Sequence, residues 1–180
     1  RILGGARPTG ATDELSLIDA LGAVLAEDVI SGIDVPGDDN SAMDGYAVCG
    51  EDLPGPLPIS QRIAAGAVGE PLQPGTAARI FTGAPIPAGA DAVVMQENCS
   101  VDQGGLLSVE GTVTTAQNIR SRGQDIAAGA VALSKGRRLR PQDLGLLASV
   151  GVARVTVFRR LKVAVLSTGD ELVEPGTADL

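Results

Sequence analysis

Asp44 lies in a loop dense in carboxylates, DVPGDDNSAMDGYA at 34–47. Asp38, Asp39 and Asp44 stand there with Asn40 and Ser41, between the turn signals Pro36-Gly37 and Asp44-Gly45. A hard cation such as Mg²⁺ takes one or two carboxylates together with water and substrate phosphate, and this loop can supply them. Asp44 is the best placed, because Gly45 lets a ligand approach the backbone closely. Asp38 and Asp39 read as solvated, and the whole stretch also fits an exposed acidic turn. A second constellation, FTGAPIPAG at 81–89, sets the Thr82 hydroxyl and the Thr82 and Gly83 N–H groups in a proline-stiffened loop. Those are donors for an anion; the stretch also fits a plain connection between two strands. In NIRSRGQD at 118–125, Arg120 and Arg122 beside Gly123 form a clamp for phosphate or another oxyanion, or else a charged linker closed by its own ion pairs. In VLSTGDEL at 165–172 an apolar strand runs into Ser167, Thr168, Gly169, Asp170 and Glu171. The carboxyl end of such a strand is where open α/β sheets bind ligands, although a strand followed by a capped turn fits as well.

Composition removes several chemistries. The chain has no histidine, which excludes Ser-His-Asp triads, Cys-His pairs and histidine-ligated zinc. Cys49 and Cys99 are not in a metal-ligand spacing, and nothing else suggests a secreted disulfide framework. Tyr46, Phe81 and Phe158 are the only aromatics, too few to make stacking platforms for nucleic acid. No apolar run approaches the roughly 20 residues that cross a bilayer. No signal peptide is visible, so a cytoplasmic location is expected; the first residue is Arg1, so the native start is expected upstream. The net charge of −8 is uneven: residues 1–60 carry 11 acids and 2 bases, residues 121–180 carry 6 acids and 9 bases. A cation site therefore belongs in the first third and a phosphate-binding surface in the last.

The elements that must position these residues are short. Glycine (24) and proline (11) are spread among apolar runs, which reads as tight turns between strands. Strands are expected at about 28–30, 46–48, 59–64, 77–81, 92–96, 106–109 and 112–115, with a hairpin tip at Gly104-Gly105. Ser16–Ala26 reads as a helix, capped by Ser16 with Asp19 three residues on and carrying Leu17, Ala20, Leu21, Val24 and Leu25 at helical spacing. Pro141–Val150 reads as a second helix, with Pro141 at its first turn and Gly151 at its stop. Val152–Phe158 alternates as a strand, and the apolar Val163–Leu166 reads as the first strand of a buried parallel sheet that the remaining residues are too few to complete.

Taken together, the segments DVPGDDNSAMDGYAV at 34–48, RIFTGAPIPAGADAVVMQE at 79–97, NIRSRGQDI at 118–126 and KVAVLSTGDELVEPG at 162–176 resemble the molybdopterin molybdenumtransferases of the MoeA/gephyrin E-domain type. Each segment is weak alone; four in this order and spacing are specific. The resemblance implies molybdenum insertion into an adenylylated molybdopterin with release of AMP, with Mg²⁺ as cofactor and molybdate and the adenylylated pterin as substrates. It implies an elongated homodimer whose cleft lies between the β-rich domain of one subunit and the α/β domain of the other. By motif it marks Asp44, Thr82, Asp125 and Glu171 as functional positions. The roles expected are Asp44 and Glu171 positioning Mg²⁺ or molybdate, Thr82 donating to substrate, and Asp125 shaping the cleft. Thr82, Gly83, Ser167, Thr168, Gly169 and Asp170 are expected to line the substrate.

The expected fold is α+β and mainly β. A small α+β dimerisation unit, residues 1–44 and 124–159, holds an inserted β-rich, barrel-like domain at 45–123. Residues 160–180 begin a truncated α/β, pterin-binding domain, so the chain alone is expected to be inactive. Two other functions fit the same fold: a scaffold that binds a partner protein, as in the gephyrin relative, and an acidic β-barrel that binds a cation without any pterin.

Overall fold

The structure, a computed structural model, describes residues 10–166 together with Thr168, Gly169, Val173 and Gly176. Its elements are the strands β1 (Thr12–Ser16), β2 (Val29–Ile30), β3 (Asn40–Ser41), β4 (Gly45–Val48), β5 (Leu57–Ile63), β6 (Ala77–Ile80), β7 (Ala92–Met95), β8 (Cys99–Val101), β9 (Leu106–Val109), β10 (Ile119–Arg120) and β11 (Val131–Leu133), the helix α1 (Pro141–Ser149), and the strand β12 (Arg154–Phe158). The fold is mainly β with a single α-helix among the described residues.

One core joins the segments 12–29 and 133–157. β1 pairs antiparallel with β12, from Thr12 opposite Phe158 to Ser16 opposite Arg154. In β12 the alternation sets Val155 and Val157 inward and leaves Arg154 exposed. Against them pack Ala20, Ala23, Leu25, Leu133, Leu139 and Leu147, all buried. α1 begins at Pro141, where a missing N–H costs nothing, and the chain turns out of it at Gly151, whose φ is +79°.

The expected helix at 16–26 is not formed. Its capping signal is real: Ser16 Oγ donates to Asp19 Oδ2 at 2.6 Å and accepts from Asp19 N at 3.3 Å. The chain nevertheless makes turns after Ser16, swings away at Gly22, with φ +76°, and then bridges Arg138 and Val157 through Val24 and Leu25. The N–H groups of Gly22, Leu25 and Ala26 bond to the carbonyls of Leu139, Arg137 and Thr156 instead of to a helix. The apolar spacing suits both outcomes, and pairing with two extended neighbours buries Ala20, Ala23 and Leu25 completely enough to override local propensity.

Apart from the short antiparallel pairs β2–β11 and β3–β10, the rest of the β structure is one curled six-stranded sheet in the order β7-β4-β6-β5-β9-β8, in which β5 and β6 are parallel and the other pairs antiparallel. Both faces carry buried residues, most completely in β4, β6 and β7. Ala47, Ile63, Ala78, Ile80 and Val93 face a cover that includes Leu72 and Ala84, while Val48, Leu57, Ala77, Ala92 and Val94 face Leu107. That explains the unbroken apolar run Ala92–Val94 in β7, buried on both sides. The hairpin tip falls between β8 and β9, where Asp102 Oδ1 accepts from the N–H groups of Gly104 and Leu106. Both cysteines are free thiols, and burial pushes the Cys99 thiol up to about 11.

Two further expectations fail. Residues 112–115 form no strand, because Thr114 turns in on the Gln117 amide oxygen and Ala116 and Asn118 take positive φ. Val163–Leu166 is not a strand either. No strand lies beside it among the described residues, and Val163, Val165 and Leu166 remain exposed.

The chain leaves the first core and returns to it side by side. Val35 bridges Ile126, and β3 pairs with β10, Ser41 opposite Ile119 and Asn40 opposite Arg120. Asp34 ties the crossing: Oδ1 accepts from Ala128 N at 2.7 Å and Oδ2 from Arg122 Nε at 2.6 Å.

Candidate functional site

Asp44 sits where the loop enters β4, and its position depends on the residue after it. A Cβ built on Gly45 would lie 2.0 Å from the carbonyl oxygen of Val94. The glycine thus admits a neighbouring strand of its own sheet, not a ligand, which corrects the expected reason for the Asp-Gly pair. With β4 seated between β6 and β7, the Asp44 carboxylate faces the end of β6. There Thr82 donates twice to Asp44 Oδ1, from its N–H at 2.8 Å and its hydroxyl at 2.9 Å. These two bonds, the N–H first, hold the Asp44 carboxyl below its ordinary value, and the Arg79 charge adds to them. Asp44 is exposed, and its Oδ2 accepts no hydrogen bond among the described residues.

The Thr82 loop is locked to the acidic loop by main-chain bonds. Gly83, at φ +82°, turns its N–H onto Ser41 O at 2.8 Å, Ser41 N bonds Ala84 O, and Ile86 N bonds Asp39 O. The donors that the sequence offers to an anion at Thr82 and Gly83 are therefore engaged within the protein. The arginines of 118–125 are engaged as well. Arg120 closes on Asp125, Arg122 closes on Asp34, and Arg122 N bonds Asp39 Oδ1. Of the two readings of that segment, the linker closed by its own ion pairs describes these bonds.

Three of the four sequence constellations thus meet. Asp44 and Thr82 are in contact, and Asp125 is joined to the same loop through Arg120, which lies opposite Asn40. Thr168 and Gly169 are exposed, while Ser167, Asp170 and Glu171 lie outside the described residues. A 420 Å³ cavity lined by Asp38, Asp39, Val68, Pro85, Ile86 and Arg122 opens beside the interlocked loops; a larger one of 590 Å³ lies across Leu15, Ala23 and Val157 in the other core. Among the described residues no cluster of three or more acids or thiols could cage a metal.

Sequence reasoning missed Arg62 and Arg79. They stand side by side across β5 and β6, both over the Phe81 ring. The signal lies in the parallel register of two strands joined by a long crossover, which no local pattern displays.

The Thr82 hydroxyl bond has a direct check. Thr82→Val keeps the N–H and the side-chain shape. Carboxyl NMR titration should then show the Asp44 pKa moving up toward its ordinary 3.8 without reaching it. An unchanged pKa would mean that the hydroxyl does not hold the carboxylate.

A curled six-stranded sheet, a small α+β core and an Asp-Thr contact between an MDGYA loop and an FTGAP loop define a recognisable class. The family model for the MoeA N-terminal region, domains I and II, matches residues 1–151, and the chain belongs to that family. It is 47% identical over 168 residues to a molybdopterin molybdenumtransferase of Haemophilus influenzae, covering 92% of this chain and 42% of that protein. To molybdopterin molybdenumtransferase 2 of Mycobacterium tuberculosis it is 43% identical over 171 residues, covering 89% of this chain and 42% of that one. The crystal structure of a molybdopterin biosynthesis MoeA protein from Pyrococcus horikoshii superposes with a TM-score of 0.85 at 35% identity, over 98% of this chain and 47% of that one. The chain therefore spans less than half the length of these relatives.

Proposed function

We propose that the chain supplies part of the active site of a molybdenum insertase, which places molybdenum from molybdate into an adenylylated molybdopterin and releases AMP. The observation that carries this reading is the Asp44–Thr82 contact: an ionised, exposed carboxylate with one oxygen fixed by two donors and the other open. Such an oxygen fits Mg²⁺, which takes one or two protein carboxylates and completes its shell with water and substrate phosphate. The ion would supply charge neutralisation at the phosphoanhydride that breaks. Asp44 would hold it, with Glu171 as a second ligand. Thr82, its proton committed to Asp44, keeps hydroxyl lone pairs to accept from substrate. Gly83, Ser167, Thr168, Gly169 and Asp170 line the substrate, and Asp125, held by Arg120, shapes the cleft wall.

The same reading divides the chain into a discontinuous α+β unit at 1–44 and 124–159, a β-rich insertion at 45–123, and the start of a pterin-binding domain at 160–180. It takes the working form to be a cytoplasmic homodimer paired through the α+β unit. The side-by-side exit and return of the chain at Val35 and Ile126 supports the insertion, since an inserted unit leaves and re-enters its host at one place. The test uses a chain extended to the relatives' length, supplied with adenylylated molybdopterin, molybdate and Mg²⁺. It is expected to release AMP as metal enters the pterin, and Asp44→Ala is expected to lose both. Normal turnover by that variant removes Asp44 from the site and, with it, the ground for the proposal.

A further inference from the structure

A phosphate-bearing or oxyanionic substrate beside Thr82 needs donors, and those nearest in sequence are engaged. The N–H groups of Thr82 and Gly83 bond Asp44 and Ser41, Arg120 is closed on Asp125, and Arg122 on Asp34. Arg62 and Arg79 remain. They face each other in the parallel register of β5 and β6, with guanidinium carbons 4.4 and 4.5 Å from the centroid of Phe81, the residue before Thr82. Arg79 is fixed by neutral acceptors. Nη1 donates to Gly45 O at 2.7 Å and Nη2 to Gln96 Oε1 at 2.5 Å, and its carbon lies 5.1 Å from the centroid of Tyr46. Arg62 is exposed and donates no hydrogen bond among the described residues. Neither arginine has a carboxylate within ion-pair distance among those residues.

Two like charges thus share one aromatic ring in a chain of net charge −8, and the carboxylate next to them, Asp44, is bonded to Thr82. A ring face attracts a guanidinium but cannot neutralise it. A tetrahedral oxyanion can, and the planar fork of arginine matches its oxygens in pairs.

We propose that Arg62 and Arg79, stacked on Phe81, form a seat for a tetrahedral oxyanion, a phosphate ester or a metalate, next to Thr82. The assignment of that ligand rests on the function proposed above. Arg79 is the fixed half of the seat and Arg62 the half whose donors make no hydrogen bond among the described residues. Asp44 repels an anion from its own oxygens, so the anion sits on the arginine side of Thr82 and a cation on the Asp44 Oδ2 side.

Calorimetric titration of the 180-residue chain with inorganic phosphate, AMP and sodium molybdate, each alone at low ionic strength, tests the seat. The wild type is expected to bind at least one of them. Arg62→Ala should bind about tenfold more weakly, and Arg62→Lys between the two, because it keeps the charge and loses the fork. Tighter binding of AMP than of phosphate or molybdate names the nucleotide phosphate as the source; tighter binding of molybdate names the metalate. Either supports the seat. No binding of any of the three by the wild type, or equal affinity in a folded Arg62→Ala, overturns it. The titration needs neither pterin nor turnover, so its failure leaves the Asp44 proposal standing. Loss of the Asp44 proposal in turn leaves a measured anion site in place.

Discussion

Gly45→Ala is expected to destabilise the chain by about 3 kcal/mol or more, at or above the upper end of the usual cost of adding a methyl group to a packed site. The methyl would lie 2.0 Å from Val94 O, 2.8 Å from the Val94 carbonyl carbon and 3.1 Å from Met95 Cα. All three are backbone atoms of β7, so no side-chain rotation relieves the contact. β4 cannot retreat, because on its other side Gly45 pairs with Ile80 of β6 and its carbonyl accepts from Arg79. One side of the sheet must open, and either opening moves Asp44 away from Thr82. Urea unfolding should show a lower midpoint with little change in slope, and in the folded fraction the Asp44 pKa should rise toward its ordinary value. A variant within about 0.5 kcal/mol of wild type, with Asp44 still depressed, would show that the strand gives way easily.

The strands of the curled sheet were legible because each apolar run is cut by glycine or proline. Runs at 46–48, 77–81, 92–96 and 106–109 correspond to β4, β6, β7 and β9 to within a residue or so. β8 was not, since Cys99–Val101 is three residues with no alternation. The 16–26 segment misled because Ser16, Asp19 and the leucine spacing satisfy a helix locally. What decides against it is the carbonyls of Arg137, Leu139 and Thr156, more than a hundred residues away. The apolar Val163–Leu166 has the composition of a buried strand, but composition states a need for partners and not their presence. At the site, Asp44 and Thr82 were found for their chemistry, whereas the reason for Gly45 and the fate of the Gly83 N–H depend on which strand lies alongside. Arg62 and Arg79 were invisible because their adjacency exists only in a parallel pairing.

Asp143→Asn tests the other core and carries a definite pH signature. Asp143 is 3% exposed, yet its carboxylate binds three donors: Arg137 Nη2 at 2.7 Å, Arg140 N at 3.0 Å and Arg140 Nε at 3.2 Å. It therefore caps α1 and anchors the 137–140 segment whose carbonyls hold the 22–25 turn. The Arg137 hydrogen bond, and after it those of Arg140, hold the carboxyl far below its ordinary value against the opposing effect of burial. At neutral pH the asparagine variant is expected to lose roughly 2–3 kcal/mol, less than for a pair whose surviving charge stays buried. Arg137 and Arg140 are 40% and 55% exposed, so water takes them back. Because the folded pKa is depressed, the ionised group stabilises the fold fully above the unfolded value near 3.8, and that contribution fades as pH falls toward the folded value. The stability gap between wild type and Asp143→Asn, measured by urea unfolding, should therefore be widest near pH 7 and shrink below about pH 4. A gap of constant size from pH 7 to pH 3 would mean that the charge of Asp143 contributes nothing and that its role is packing alone.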